Sequence, residues 1–300
     1  MRDTSGMDAV ARRLRAEADQ VLELHEAGDL DAAFAACETL LAAAQAADPA
    51  DPVVRESLFL ARFERALLLT ELGELEAAAA AYDDAAEAPA DLDDPDQRHE
   101  VAMALLNRGV CLDAMGDHRG ALEAYDRLVV RFGDADDPVT RDQVVRGRVN
   151  RAAALLALDE LHEALTVADA VIGELDASEA LGAEQLAMAM RIRAAALRAL
   201  DRAGEAAEVL AAVELCAADD PAARTQLASA QRERAEVLTE LGRRDEAVAV
   251  LDATVRRLEG DPDPEVAEAR LELLDVEADL LDELGDHARA RAVRAEQDEA

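Results

Sequence analysis

One short pattern recurs seven times along this chain at nearly constant spacing, so any fold that satisfies it must itself repeat. In its clearest copy, Gly109–Val110–Cys111–Leu112–Asp113–Ala114–Met115–Gly116–Asp117–His118–Arg119–Gly120–Ala121–Leu122, Leu112 stands four residues before the turn residue Gly116 and Ala121 five after it. The equivalent turn positions are Gly28, Gly73, Gly116, Asp159, Asp201, Gly242 and Gly285, separated by 45, 43, 43, 42, 41 and 43 residues. The leucine recurs every time, as Leu24, Leu69, Leu112, Leu155, Leu197, Leu238 and Leu281. So does the alanine, as Ala33, Ala78, Ala121, Ala164, Ala206, Ala247 and Ala290. Self-similarity at this period predicts a solenoid. At two turns Asp159 and Asp201 replace glycine, which predicts looser turns there.

Each copy reads as two antiparallel helices. In the third, Val101, Leu105, Gly109, Leu112 and Met115 recur at helical spacing before the turn, and Ala121, Leu122, Tyr125, Leu128 and Val129 after it. Seven residues before the turn residue lies a small one (Ala66, Gly109, Ala152, Ala194, Ala235 or Ala278), which lets the two helices approach closely. Between copies come turns rich in Asp and Pro: Asp48 to Pro52, Asp91 to Asp96, Gly133 to Pro138, Asp219 to Pro221 and Gly260 to Pro264. Asp followed by Pro suits a helix cap with a first-turn proline. The Asp93–Asp94–Asp96 cluster lacks the glycine and closing glutamate of a calcium loop and is read as capping. The sequence is 51% hydrophobic but only 2% aromatic, without Trp, so burial relies on many small Ala, Leu and Val contacts.

The paired helices, the small residues at their crossing, Leu then Gly at the turn, and Ala then Tyr or Leu after it resemble tetratricopeptide repeats over about residues 8–298. The period is longer than that family's usual one and is similar to the repeats of kinesin light chains and several bacterial regulators. Leu105–Leu106–Asn107–Arg108–Gly109–Val110, Leu122–Glu123–Ala124–Tyr125–Asp126 and Phe132–Gly133–Asp134 resemble a bacterial long-repeat subtype. The resemblance implies an all-α, right-handed superhelical solenoid of about seven helix pairs. The expected organisation is a flexible N-terminus over 1–7 and one solenoid over 8–300, with repeats at about 8–50, 51–95, 96–137, 138–178, 179–219, 220–261 and 262–300. Arg289, Arg291 and Arg294 make the last second helix polar, as a solvent-facing cap requires.

Two charged columns accompany the repeat. Eight residues before the turn residue stands Arg65, Arg108, Arg151, Arg193 or Arg234. Ten after it stands Glu38, Asp83, Asp126, Asp169 or Asp252. Pairing within repeats (Arg65–Asp83, Arg108–Asp126, Arg151–Asp169, Arg234–Asp252) and pairing between neighbours (Arg65–Glu38, Arg108–Asp83, Arg151–Asp126, Arg193–Asp169) fit the spacing equally, and both are scaffold readings.

The resemblance further implies that the first helices line a concave groove for a partner segment. Its expected lining is Leu60, Phe63, Leu67, Met103, Leu106, Val110, Arg146, Val149, Ala153 and Leu156, then Arg191, Arg198 and Arg232, and finally Glu272, Asp275, Asp279 and Asp282. Such a face runs from apolar through basic to acidic. It suits a protein or peptide whose apolar side chains meet the first section and whose carboxylates meet the arginines. The expected function is therefore a cytoplasmic adaptor or regulator, monomeric or weakly self-associating. The alternatives are a regulator gated by a peptide or effector in the groove, and a self-associating scaffold.

Acids outnumber bases 67 to 31, for a net charge of −36, which opposes nucleic acid and anionic membranes. Cys37, Cys111 and Cys216 lack metal or disulfide spacing, and no apolar run reaches membrane-spanning length. His118 and His287 repeat one turn position, so they echo the repeat and form no catalytic pair. No nucleophile triad, phosphate loop or metal motif is present; neither catalysis, a metal nor a cofactor is expected.

Overall fold

The computed structural model describes residues 4–87, 94–175, 180–216 and 220–299. Among these the chain forms fourteen α-helices and no strand. The first helices of the seven repeats are α1 (Thr4–Glu26), α3 (Pro52–Glu71), α5 (Pro95–Ala114), α7 (Pro138–Ala157), α9 (Ala180–Ala199), α11 (Pro221–Glu240) and α13 (Pro264–Glu283). The second helices are α2 (Leu30–Gln45), α4 (Leu75–Ala86), α6 (His118–Phe132), α8 (Leu161–Glu174), α10 (Ala203–Ala212), α12 (Arg244–Arg257) and α14 (His287–Glu299). The chain divides into two compact units, one reaching Ala154 and the other starting at Leu155. In the first, consecutive helices from α1 to α6 pack on one another and α1 also meets α3. In the second, consecutive helices from α8 to α14 do the same, and α9, α11 and α13 form a row of first helices. Each unit is an all-α array of stacked helix pairs.

The turn inside each pair explains the recurring pattern. All seven turn residues are left-handed, with φ between 58° and 81°. The following residue donates its N–H to the carbonyl of the recurrent leucine: Asp29 to Leu24 at 3.1 Å, Asp117 to Leu112 at 2.9 Å, Arg243 to Leu238 at 2.8 Å. The turn residue itself bonds the carbonyl three before it, as Gly116 does to Asp113 at 2.9 Å. These two bonds satisfy the orphan carbonyls of the first helix in a Schellman arrangement. The recurrent alanine then donates the first bond of the second helix, as Ala121 does to Asp117 at 2.9 Å, and all seven alanines are fully buried. Asp159 and Asp201 depart from the looser turns expected of them. They adopt φ of 63° and 58°, and their successors Glu160 and Arg202 bond Leu155 and Leu197 at 2.9 Å as in every other repeat. Aspartate tolerates this backbone region because its side chain is short and polar.

Asp–Pro steps start the first helices as expected. Asp51, Asp94, Asp220 and Asp263 accept bonds from N–H groups of the first turn, with Pro52, Pro95, Pro221 and Pro264 behind them. Asp137 does so through Thr140, at 2.7 Å. Asp91, Leu92, Asp93 and Asp219 lie outside the described residues.

The charged columns pair between neighbouring repeats. Arg65 reaches back to Glu38 at 2.6 Å, Arg108 to Asp83 at 3.3 Å, Arg151 to Asp126 at 2.6 Å and Arg193 to Asp169 at 2.6 Å. Arg234 reaches Glu214 at 3.8 Å, while Asp252 pairs with Arg256 on its own helix at 2.7 Å. The arginine side chains are 20–33% exposed, so each pair contributes about 1 kcal/mol or less and serves mainly to fix register. At the seventh repeat the column carries Glu277 instead of arginine. Glu277 is 2% exposed and faces Asp252 and Arg256 from α12 and Arg289 and Glu296 from α14, with Arg289 at 3.9 Å. Burial, and after it the charge of Asp252, pushes its carboxyl from the ordinary 4.5 up to about 7.

The close helix crossing at Gly109 leaves no room for a side chain. A methyl at Gly109 would overlap the Tyr125 ring, coming within 2.6 Å of Cζ, and the Tyr125 hydroxyl is tied to Asp113 at 2.9 Å. Gly109→Ala gains about 1 kcal/mol of helix propensity but incurs an overpacking cost of about 1–3 kcal/mol. A lower melting temperature is expected for Gly109→Ala than for wild type. Gly173→Ala, where a methyl meets nothing within 4 Å, should melt no lower than wild type.

Glu277 makes stability depend on pH. Between about pH 4.5 and 7 the unfolded chain releases the Glu277 proton before the folded chain does. Stability from this group is therefore full below that window, falls across it and is level above it. Glu277→Gln, uncharged throughout, should match wild-type amide exchange in α13 and α14 near pH 4.5 and protect those helices better at about pH 8. Equal protection at the higher pH, on a scale corrected for intrinsic exchange, would count against the buried-carboxyl account.

Candidate functional site

The side chains expected in the groove fall into three groups. Phe63, Leu106 and Val149 lie in the core, at 7%, 6% and 0% exposure. Phe63 meets Tyr82 of α4 edge to face, with centroids 5.9 Å apart, so it closes the helix pair. Leu106 lies beside Gly147 of α7, with Cδ1 4.0 Å from where a Cβ would stand, so it seals neighbouring first helices. These helices of twenty residues bury a wide apolar face, which turns alternate positions of the expected lining inward. Leu60, Leu67 and Met103 are partly buried and packed on core residues, which leaves their edges at the surface. Val110 is open, at 45% exposure. Arg146 is exposed and bonds Asp142 one turn earlier at 2.9 Å.

In the second unit Arg191, Arg198 and Arg232 do form one neighbourhood, but acids come with them. Arg191 Nε bonds Glu233 at 3.0 Å. Arg198 bonds Glu240 at 3.1 Å through Nε and Glu236 at 3.4 Å through Nη1. Arg232 stands 3.9 Å from Glu236. The expected basic patch is thus a row of ion pairs, in which those of Arg191 and Arg198 bridge α9 and α11 and that of Arg232 lies within α11. The donors of Arg191 and Arg198 are engaged before any partner arrives, whereas Arg232 Nε is buried without a hydrogen-bond partner among the described residues. Glu233 and Glu240 follow Arg191 and Arg198 by 42 residues, one repeat period plus one, and that spacing was the available signal for them.

Across α9, α11 and α13 the same surface opens into a cleft of about 430 Å³. Ala235, Val276 and Leu280 supply its apolar floor, and Thr239 stands on its wall. Glu236, Glu240, Asp279 and Glu283 surround the floor, against the single arginine Arg198. Asp279 is held at 2.9 Å by Arg294 of α14, which also takes Asp282 at 2.7 Å. Glu283 is exposed and has no ion-pair partner among the described residues. The arrangement offers apolar contact below and hydrogen-bond acceptors around the rim. Among the described residues no cluster of three or more His, Cys, Asp or Glu is arranged to hold a metal ion, and no helix is long and apolar enough to cross a membrane.

Further polar contacts join the helices outside the two charge columns. His25 joins α1 to α3 through Glu64 at 2.8 Å and Glu71 at 2.9 Å, and its bond to Glu71 outweighs burial and lifts its pKa. Arg98 and Arg224, eighteen residues before their turn residues, clamp the next connection through Asp137 at 3.0 Å and Asp261 at 2.7 Å. His118 and His287 bond the acids three before the turn, Asp113 at 3.0 Å and Asp282 at 2.7 Å, which makes them one local motif copied.

No family model and no curated protein matches the sequence. Solved structures do match the fold. A tetratricopeptide repeat protein from Parabacteroides merdae is 15% identical, with a TM-score of 0.55 over 94% of this chain and 93% of that one. The apo form of the quorum sensor NprR from B. thuringiensis is 11% identical, with a TM-score of 0.56 over 95% and 86%. A Rap protein complexed with competence and sporulation factor is 12% identical, with a TM-score of 0.50 over 96% and 99%. The seven left-handed turns, the buried alanines that follow them and these likenesses converge on one description: the chain folds as a tetratricopeptide-type repeat protein.

Proposed function

We propose that this chain is a protein-interaction module, an adaptor or regulator that receives a peptide or helical segment on the surface of its first helices. The observation that carries the reading is the cleft over α9, α11 and α13, where an apolar floor is ringed by exposed charged groups. Apolar area provides the driving force for a partner segment, and the ring selects and orients it. The likeness to NprR and to a Rap protein solved with a bound factor supports the reading at the level of fold. Val110 and the edges of Leu60, Leu67 and Met103 offer a second, more apolar surface in the first unit.

Filling the cleft tests the proposal. Thr239→Trp places a large ring on the cleft wall, and Thr239→Ala serves as its control. Proteins captured by wild type and by Thr239→Ala, then identified by mass spectrometry and measured by calorimetry, are expected to lose at least about tenfold in affinity for Thr239→Trp. Helical circular dichroism should stay unchanged. Partners that bind all three proteins alike would place recognition elsewhere.

A further inference from the structure

Resting on that reading, we infer that the cleft of the second unit takes a cationic amphipathic segment, bearing Arg or Lys beside apolar side chains. This reverses the partner chemistry that the arginines alone suggest. Arg198 is already shared between Glu236 and Glu240, so a carboxylate entering the cleft would have to compete with two resident ones for a single guanidinium. An arriving cation meets the opposite situation. Glu236 and Glu240 are 45% and 46% exposed, Asp279 is 70% exposed, and Glu283 holds no ion-pair partner among the described residues. Each carboxylate accepts several hydrogen bonds, so acceptors remain after the resident arginines are counted.

Asp275, one turn before Asp279 on α13, is exposed and likewise has no ion-pair partner among the described residues, which extends the acidic rim along that helix. The floor of Ala235, Val276 and Leu280 matches the other half of the ligand: the aliphatic stems of Arg and Lys lie on apolar surface while their heads reach outward to the rim. The whole-chain charge of −36 adds long-range attraction for a cation, although it provides no address. Concavity, an apolar floor and unspent carboxylates coincide at this cleft, and that coincidence supplies the address.

The test separates site from field. The probes are a short labelled peptide with Leu and Arg at helical spacing and its counterpart with every Arg replaced by Glu, followed by fluorescence anisotropy. The Arg peptide is expected to bind wild type and to weaken at least about tenfold in the double variant Glu236→Arg/Glu283→Arg. It should weaken less than about twofold in Asp31→Arg/Glu76→Arg, which changes net charge equally but lies in the other unit. Raising salt from about 50 to 500 mM should also loosen it. Failure of the Arg peptide to bind, equal loss in both double variants, or tighter binding of the Glu peptide would each overturn the cationic assignment. If the Glu peptide binds and Thr239→Trp expels it, the interaction cleft stands while its cationic preference falls. If Thr239→Trp affects neither peptide, the cleft reading falls with it.

Discussion

The left-handed turn between the two helices of each repeat is the constraint on which the rest depends. One residue at positive φ lets the next N–H reach back to the recurrent leucine carbonyl, at 2.8–3.1 Å in all seven copies. That bond ends the first helix, and the next residues begin the second with the recurrent alanine at its first intrahelical bond. Side-chain packing then follows from backbone closure. The leucine lies on the last turn of one helix and the alanine on the first turn of the other, where every copy is fully buried. Five of these turns use glycine and two use aspartate, so the conformation, and not the glycine, is what repeats.

Upon this scaffold the charged groups divide into two kinds of pairing. Second-helix acids meet first-helix arginines of the following repeat, as in Arg65–Glu38 and Arg151–Asp126. First-helix arginines also meet first-helix acids one period on, as in Arg191–Glu233 and Arg198–Glu240. The first kind lies in the seam between repeats and fixes their stacking. The second lies on the first-helix surface and sets its charge. Neither adds much stability pair by pair in solvent, but both decide which residues retain free acceptors.

Much of the scaffold was legible in the sequence because a repeat multiplies each weak signal by seven. The helix pairs, the capping Asp–Pro steps, the buried alanines and the existence of the two charge columns could all be read from aligned copies. Spacing fitted pairing within and between repeats equally, and the choice needed coordinates. The site was less legible. Phe63, Leu106 and Val149 have the composition of a groove but face Tyr82, Gly147 and the core, because rotation of a long helix about its axis leaves no trace in a wide apolar stripe. Arg191 and Arg198 were counted without Glu233 and Glu240, since these partners lie 42 residues away, off the repeat period by one position.

The ion-pair seam has a polarity that the helix packing alone does not impose. An interior repeat such as the third carries two unlike halves of two different bonds, Arg108 for its predecessor and Asp126 for its successor. Repeats so built join head to tail in one order only. Duplicating the third unit would leave every junction chemically matched, whereas at the entrance to the seventh unit Glu277 faces the acid Asp252 and the alternation of arginine and acid ends. The chain thus carries, in a single column of side chains, a grammar for its own lengthening: the second, third and fourth units are interchangeable words, and Glu277 is the full stop.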